Sequence, residues 1–137
     1  MKSSIFLLMG IILLPIISCI QETRDERFLR ETKEYTKRHC PQQIDSFVIL
    51  DSVVYYMPNN KECGRYAYYH TVIGDSVEIY NLKLQEKTIK KTLLSKINNS
   101  QDLKYIKDSG VVIQYTFYST HTNELLFDFR YTKEMYK

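Results

Sequence analysis

Histidine and cysteine are the side chains of this sequence best suited to chemistry near neutral pH, and both are scattered. The histidines are His39, His70 and His121, and no two of them share the spacing of metal ligands on one element. A zinc site built from His39, Cys40 and Cys63 would need a fourth ligand and a hairpin folded back on itself. The sequence therefore predicts isolated structural histidines and no metal site.

Motifs for covalent catalysis and for phosphate binding are missing from the sequence. Neither G-x-S-x-G nor S-x-x-K occurs, the patterns that place a nucleophilic serine beside its base. Beyond the N-terminal apolar stretch, Gly64, Gly74 and Gly110 are too few for a phosphate-binding loop. Asp51 and Asp128 are interpreted as solvated strand residues, and a carboxylate pair stays open because their strand partners are unknown. We predict no cofactor and no enzymatic activity.

Tyrosine is the unusual residue of the composition, with 12 copies and no tryptophan. Because tyrosine combines a large contact area with a hydroxyl group, an uncovered sheet face that carries tyrosines suits recognition. Tyrosine is also a good strand former, so a structural role is the competing interpretation. The candidate binding face contains Tyr66, Tyr68 and Tyr118.

The charge balance is too small to indicate nucleic-acid binding. The chain has 19 basic and 16 acidic residues, a net charge of +3. Residues 83–107 contain seven lysines, and the only acidic residues in this stretch are Glu86 and Asp102. This excess predicts a solvated helix face, and near a membrane the same lysines could contact anionic headgroups.

Hydrophobic periodicity predicts the elements that position these residues. The predicted order is helix 24–38, strands 46–57 and 65–73, helix 77–98, and strands 111–118 and 125–131. The order α-β-β-α-β-β predicts an α+β fold, with two helices packed on one face of a four-stranded, mainly antiparallel sheet. The length fits a single domain.

The N-terminus has the pattern of a secretion signal. Lys2 precedes an uncharged apolar run, residues 5–17, and its 13 residues are too few for a membrane-spanning helix, which needs about 20. The end of this run and the two residues after it, Ile16-Ile17-Ser18-Cys19, resemble the lipobox of bacterial lipoproteins.

The lipobox resemblance implies an address for the protein. Residues 1–18 would be removed as a signal peptide, and Cys19 would receive diacylglycerol on its sulfur and an acyl chain such as palmitate on its amino group. Residues 19–26 would then be the lipidated cysteine and a spacer, followed by one α+β domain, residues 27–137. Ile20 after the cysteine implies the outer membrane, whereas surface or periplasmic orientation stays open.

Cys40 and Cys63 are a candidate disulfide, because thiols oxidise outside the cytoplasm. A bridge would close a loop of about two dozen residues and contribute about 3 kcal/mol. Against it, a hairpin that turns at residues 59–60 places Cys63 near its tip and Cys40 before its far end, whereas bridged Cα atoms lie within about 7 Å. The sequence leaves both states open.

A second resemblance begins at Cys40. The patterns Cys40-Pro41-x-x-Ile44-Asp45 and Leu50-Asp51-Ser52-Val53 resemble a group of small secreted or lipid-anchored Bacteroides-type proteins. The resemblance implies a helix-then-sheet domain with a cystatin-like or NTF2-like outline, and it implies no activity. Cys63 departs from the pattern.

Together these observations predict a membrane-anchored, non-enzymatic binding or accessory domain of the bacterial cell envelope, with a protein or glycan partner. The alternative is an envelope inhibitor or immunity protein that blocks an enzyme or toxin through an edge strand or a loop.

Overall fold

The computed structural model describes residues 21–136, so Cys19 and the apolar run before it lie outside the described residues. The elements are α1 Arg24–His39, β1 Gln42–Asp45, β2 Val48–Tyr56, β3 Arg65–Val72, α2 Ser76–Leu84, α3 Glu86–Asn99, α4 Lys104–Asp108, β4 Val112–Ser119 and β5 Leu125–Tyr131. Within this part of the chain, no helix is long and apolar enough to cross a membrane.

The strands form one sheet in the order β1-β2-β3-β4-β5. All neighbouring strands are antiparallel except β3 and β4, which are parallel because α2, α3 and α4 carry the chain back along the sheet between them. The predicted α+β class is confirmed, but the count of four strands was wrong. The fifth strand, β1, is a short and fully exposed QQID segment, which has no alternation of apolar and polar residues to reveal it.

The predicted helix 77–98 is two helices, and α4 follows them. The break lies at Gln85, which leaves helical geometry and donates its N–H to the carbonyl oxygen of Leu82 at 3.0 Å. The apolar positions keep their helical spacing across this residue, so periodicity alone predicts one continuous helix.

A layer of large side chains between the helices and one face of the sheet forms the core. We call this face the helix-facing side and the other the open face. Phe28 of α1 is 1% exposed and lies between Tyr55 and Tyr66, with ring centroids 5.1 and 5.6 Å away. Ile97 of α3 and Ile106 of α4 bury their side chains in the same layer. Burying such a large aromatic side chain contributes strongly to the core.

Helix α1 also closes an edge of the sheet. Because β1 pairs only with Val48, Ile49 and Leu50, the rest of β2 would expose unpaired backbone groups. Thr36 of α1 meets this edge: its Oγ1 donates to the carbonyl oxygen of Val53 at 2.8 Å and accepts the N–H of Val53 at 2.9 Å. One side chain therefore satisfies both backbone groups of an otherwise open edge residue.

Replacing Thr36 with valine should lower the free energy of unfolding by about 1–3 kcal/mol, since Val53 loses two hydrogen bonds at a partly buried site. Thr92→Val is the matched control, because the exposed Thr92 hydroxyl bonds only within its own helix and its loss should cost less than about 0.5 kcal/mol. Urea denaturation measures both. Equal losses for the two variants would contradict the role given to Thr36.

Candidate functional site: a groove between helix α3 and the sheet

The predicted binding tyrosines do not share one face. Tyr66 pairs with Ile113 and Tyr68 with Tyr115, which places both tyrosines on the helix-facing side, in the layer that packs against the core. Tyr118 pairs with Thr71. Because successive residues of a strand point to opposite faces and Tyr115 lies on the helix-facing side, Tyr118 points to the open face. The grouping of Tyr66, Tyr68 and Tyr118 on one uncovered face was therefore wrong. Strand alternation predicts which residues share a face, but only helix placement decides which face is covered.

A groove of about 490 Å³ lies between α3 and the sheet, close to β1. Its floor is formed by His70 of β3 and by Tyr115 and Phe117 of β4, and its helical wall includes Ile89 and Leu93 of α3. The helix contributes one side of the groove and the sheet the other, so the space between these two elements sets its width. Concave, mostly apolar sites of this size are the usual places where proteins hold ligands or partner segments.

The floor of the groove continues a stack of aromatic rings. The rings of Tyr68 and Tyr115 are nearly parallel at 5.0 Å, and those of His70 and Phe117 at 4.6 Å. Burial raises the pKa of Tyr115 to about 12 and places the pKa of Tyr68 well above its usual range, so both hydroxyls stay protonated. The floor is thus uncharged and rigid, and it offers aromatic faces rather than ions.

His70 is the polar group of this floor. Its side chain is 3% exposed, and Nδ1 lies 3.3 Å from the carbonyl oxygen of Thr116. Burial lowers the pKa of His70, although the Thr116 carbonyl and the nearby Asp51 carboxylate favour the charged form. Because burial is the largest cause, the imidazole is neutral at neutral pH. It therefore acts as a stacked ring in the floor and not as a cation.

The rim of the groove is polar. Thr88, Thr92 and Lys96 follow one another along α3, and Asp45 lies on the opposite side at the end of β1. Neither Lys96 nor Asp45 makes an ion pair with another residue between positions 21 and 136. The groove thus combines an apolar floor with a rim that offers hydroxyls and one charge of each sign, which suits a segment with one apolar side.

Cys40 and His70 lie near one carboxylate but do not form a catalytic pair. Asp51 accepts a hydrogen bond from Thr71 Oγ1 at 2.5 Å and influences both neighbours. Burial and the Asp51 charge raise the pKa of Cys40, so its thiol stays protonated, whereas reactive cysteines have a lowered pKa. No group of three His, Cys, Asp or Glu side chains in the described part of the chain could hold a metal ion.

The other candidate residues are kept apart by the fold. Asp51 lies on β2 and Asp128 on β5, three strand spacings or about 14 Å apart, too far for a pair of acid and base carboxylates. Asp128 accepts hydrogen bonds from Gln114 and Thr116 on the open face. His39 ends α1, where its ring lies 4.8 Å from that of Tyr35.

Cys40 and Cys63 are free thiols, so the candidate disulfide is not formed. Since Gln42 pairs with Leu50, Cys40 enters β1 beside the middle of β2, whereas Cys63 lies beyond the far end of β2. The intervening strand residues span roughly 13 Å or more, while a bridge needs Cα atoms within about 7 Å. The hairpin geometry therefore separates the two cysteines.

Sequence reasoning missed the groove because it is shaped by the distance between two elements. Ile89 and Leu93 have the spacing of ordinary core positions of an amphipathic helix, and both do pack partly against the core. A signal was present in the polar residues beside them, Thr88, Thr92 and Lys96, which recur every four residues and so form a second stripe on α3.

Comparisons with known proteins identify a family and a fold. A family model described as a domain of unknown function, DUF8479, matches residues 23–127. Among solved structures, a protein from Pseudomonas aeruginosa described as secreted has a TM-score of 0.61 at 12% identity, covering 81% of this chain and 94% of that one. A search among curated proteins finds no match.

Two pilotins of type II secretion systems have similar folds. EpsS from Vibrio vulnificus has a TM-score of 0.56 at 8% identity, covering 82% of this chain and 91% of the pilotin. AspS from Vibrio cholerae has a TM-score of 0.55 at 13% identity, covering 81% and 90%. At these identities the likeness concerns the fold alone.

The burial of His70 predicts a loss of stability in mild acid. Its pKa is lowered in the folded protein, so below the ordinary value of about 6.5 the unfolded chain binds a proton that the folded chain resists. The free energy of unfolding should fall from pH 6.5 until the pH reaches that lowered pKa. Urea denaturation between pH 7.5 and 5.5 should show this slope in the wild type and in His121→Gln, and a flatter one in His70→Phe. Identical slopes in all three would contradict the assignment.

Proposed function

The chain belongs to the DUF8479 family, and for it we propose a non-enzymatic accessory function in the cell envelope. In this proposal the protein is a lipoprotein anchored through Cys19, and it binds a segment of a partner protein in the groove between α3 and the sheet. The groove is the observation that carries the proposal. Similar folds occur in type II secretion pilotins and in a protein described as secreted, and this likeness of fold is compatible with such a role.

The chemistry of the groove defines the kind of partner. An aromatic and aliphatic floor buries apolar side chains, while Thr88 and Lys96 leave hydrogen-bond donors along one rim. Between them, Thr92 Oγ1 donates to the carbonyl oxygen of Thr88 and keeps its lone pairs as acceptors. A helix or extended segment with apolar residues on one side can satisfy both, and recognition of amphipathic segments in grooves is a common mode of peptide binding. Polar small molecules would leave the apolar floor unused. A protein segment therefore fits this site better than a polar metabolite.

The proposed anchor restricts where this binding takes place. Helix α1 begins at Arg24, inside the range assigned to the spacer, so only four residues lie between its first residue and Cys19. Even fully extended, this tether spans only about 17 Å. The capping box of Thr23 and Glu26 fixes the start of α1, so the ordered domain begins close to the membrane. Partners would then be captured near the bilayer.

A photo-crosslinker in the groove tests the proposed site in intact cells. With p-benzoylphenylalanine at position 92, irradiation should give one discrete adduct with a partner protein, which mass spectrometry identifies. The same group at Ser95, on the same helix outside the groove, and at Tyr118, on the open face, should give none. Adding Thr88→Trp, which fills the groove, should suppress the adduct.

The pattern of adducts separates the alternatives. An adduct at position 118 but none at position 92 would move the binding site to the open face and overturn the groove assignment. An adduct at position 92 whose partner is an enzyme or a toxin would support the inhibitor or immunity role in place of the accessory one.

The anchor has its own test. Intact mass of the mature protein should show a chain that begins at Cys19 and carries three acyl chains, and labelled palmitate should be incorporated. Cys19→Ala should abolish both, while the far-ultraviolet spectrum of the domain stays unchanged because Arg24 starts the first helix. An unmodified mature N-terminus in the wild type would show that the lipobox interpretation is wrong.

A further inference from the structure

We infer that α2 and the outer side of α3 form a second membrane contact, in which they lie against a bilayer that contains anionic lipids. We call it the α2–α3 surface and define it by Val77, Tyr80 and Leu84 of α2 with Lys87 and Lys91 of α3. The inference rests on the proposed function only in that the anchor at Cys19 brings the domain close to a bilayer.

Apolar exposure on α2 is the first observation. Leu84 is 69% exposed, Val77 66% and Tyr80 63%, the highest values among the large hydrophobic side chains of residues 21–136. Their spacing of three and four residues places them on one side of the helix. Ile79 and Leu82 point the other way, toward the core. A surface helix normally turns polar residues to the solvent, so α2 has an apolar side without a partner in the described chain.

Lysines in the first turns of α3, directly after α2 in the chain, are the second observation. Lys87, Lys90 and Lys91 make no ion pair within the described part of the chain, whereas Lys83 bonds to Glu124 at 3.4 Å. The nearest acid of α2, Glu78, accepts the N–H of Asp75 in the capping box, and Glu86 is the acid of the first turn of α3. Apolar side chains flanked by several lysines are typical of helices that lie in the interface of an anionic bilayer.

The same charges disfavour self-association through this surface. In a twofold dimer each copy would present the same patch, so the lysines of one copy would face the lysines of the other. The groove is also separate, since none of the five residues that define the α2–α3 surface lines it. A partner in the groove and a bilayer under the α2–α3 surface are therefore compatible.

The two membrane contacts predict how the domain lies. Asp25, near the start of α1, accepts a hydrogen bond from Tyr55 at 2.6 Å, so the tether leaves from the end of the sheet where β2 ends and β3 begins. Helix α2 starts after Val72, at the opposite end of the eight-residue β3, which spans about 26 Å. With contacts at both ends, the strands must run roughly parallel to the membrane plane.

The absence of tryptophan from the sequence makes the test specific. Tyr80→Trp places a single fluorophore in the α2–α3 surface, and Tyr118→Trp places one on the open face as the control. Both full-length variants, purified with their lipid, are reconstituted into vesicles of phosphatidylcholine with or without phosphatidylglycerol. In the anionic vesicles the emission of Trp at position 80 should shift to shorter wavelength and be quenched by lipids brominated on the upper acyl chain, while the control stays unquenched.

Charge reversal tests the lysines. Lys87→Glu with Lys91→Glu in the Tyr80→Trp background should remove the quenching, as should vesicles of phosphatidylcholine alone. Val77→Trp repeats the measurement at a second position in case Tyr80→Trp does not fold.

Three outcomes would overturn the inference. Equal quenching at positions 80 and 118 would show non-specific contact, and a blue shift at position 80 without lipid quenching would show a protein partner. No change at position 80 would show a solvated helix. Intact mass of the same sample reports the acyl chains on Cys19, so a failed anchor is distinguished from a failed surface. Groove crosslinking at position 92 is a separate measurement that tests the proposed function.

Discussion

Parallel pairing of β3 with β4 in the middle of the sheet is the constraint on which the other features depend. Strands that run side by side in the same direction cannot be joined by a tight turn, so the chain must leave the end of β3 and return to the start of β4. Helices α2, α3 and α4 form this return path. They cover the helix-facing side, and their course across the sheet creates both the groove and the exposed side of α2.

The aromatic layer beneath these helices stabilises the fold and also forms the floor of the groove. Phe28 packs between tyrosines of β2 and β3. The ring stack continues from Tyr68 through Tyr115 and His70 to Phe117. Offset and tilted ring pairs of this kind contribute beyond the area that they bury. A floor made from the core itself is rigid, so the groove is already formed before a partner arrives, which lowers the entropic cost of binding.

Hydroxyl groups around the aromatic layer donate hydrogen bonds to backbone carbonyls of other segments of the chain. Thr36 covers the edge of β2, Tyr131 Oη donates to the carbonyl oxygen of Lys90 at 2.8 Å, and Tyr136 Oη donates to that of Val111 at 2.6 Å. These hydroxyls tie helices, strands and the C-terminal segment together across the core. The abundance of tyrosine in this chain thus serves packing and hydrogen bonding on the helix-facing side.

The sequence by itself determined the α+β class, the first helix and four of the five strands, because each rests on a local pattern of apolar and polar residues. It did not reveal β1, an exposed QQID segment without alternation of apolar and polar residues, nor the helix break at Gln85, across which the periodicity continues. The side of the sheet that carries Tyr66 and Tyr68, the separation of Cys40 from Cys63, and the groove were decided by the tertiary structure. Each depends on how segments far apart in the sequence are placed in space. That placement follows from the packing of the whole chain and cannot be deduced from a local pattern of residues.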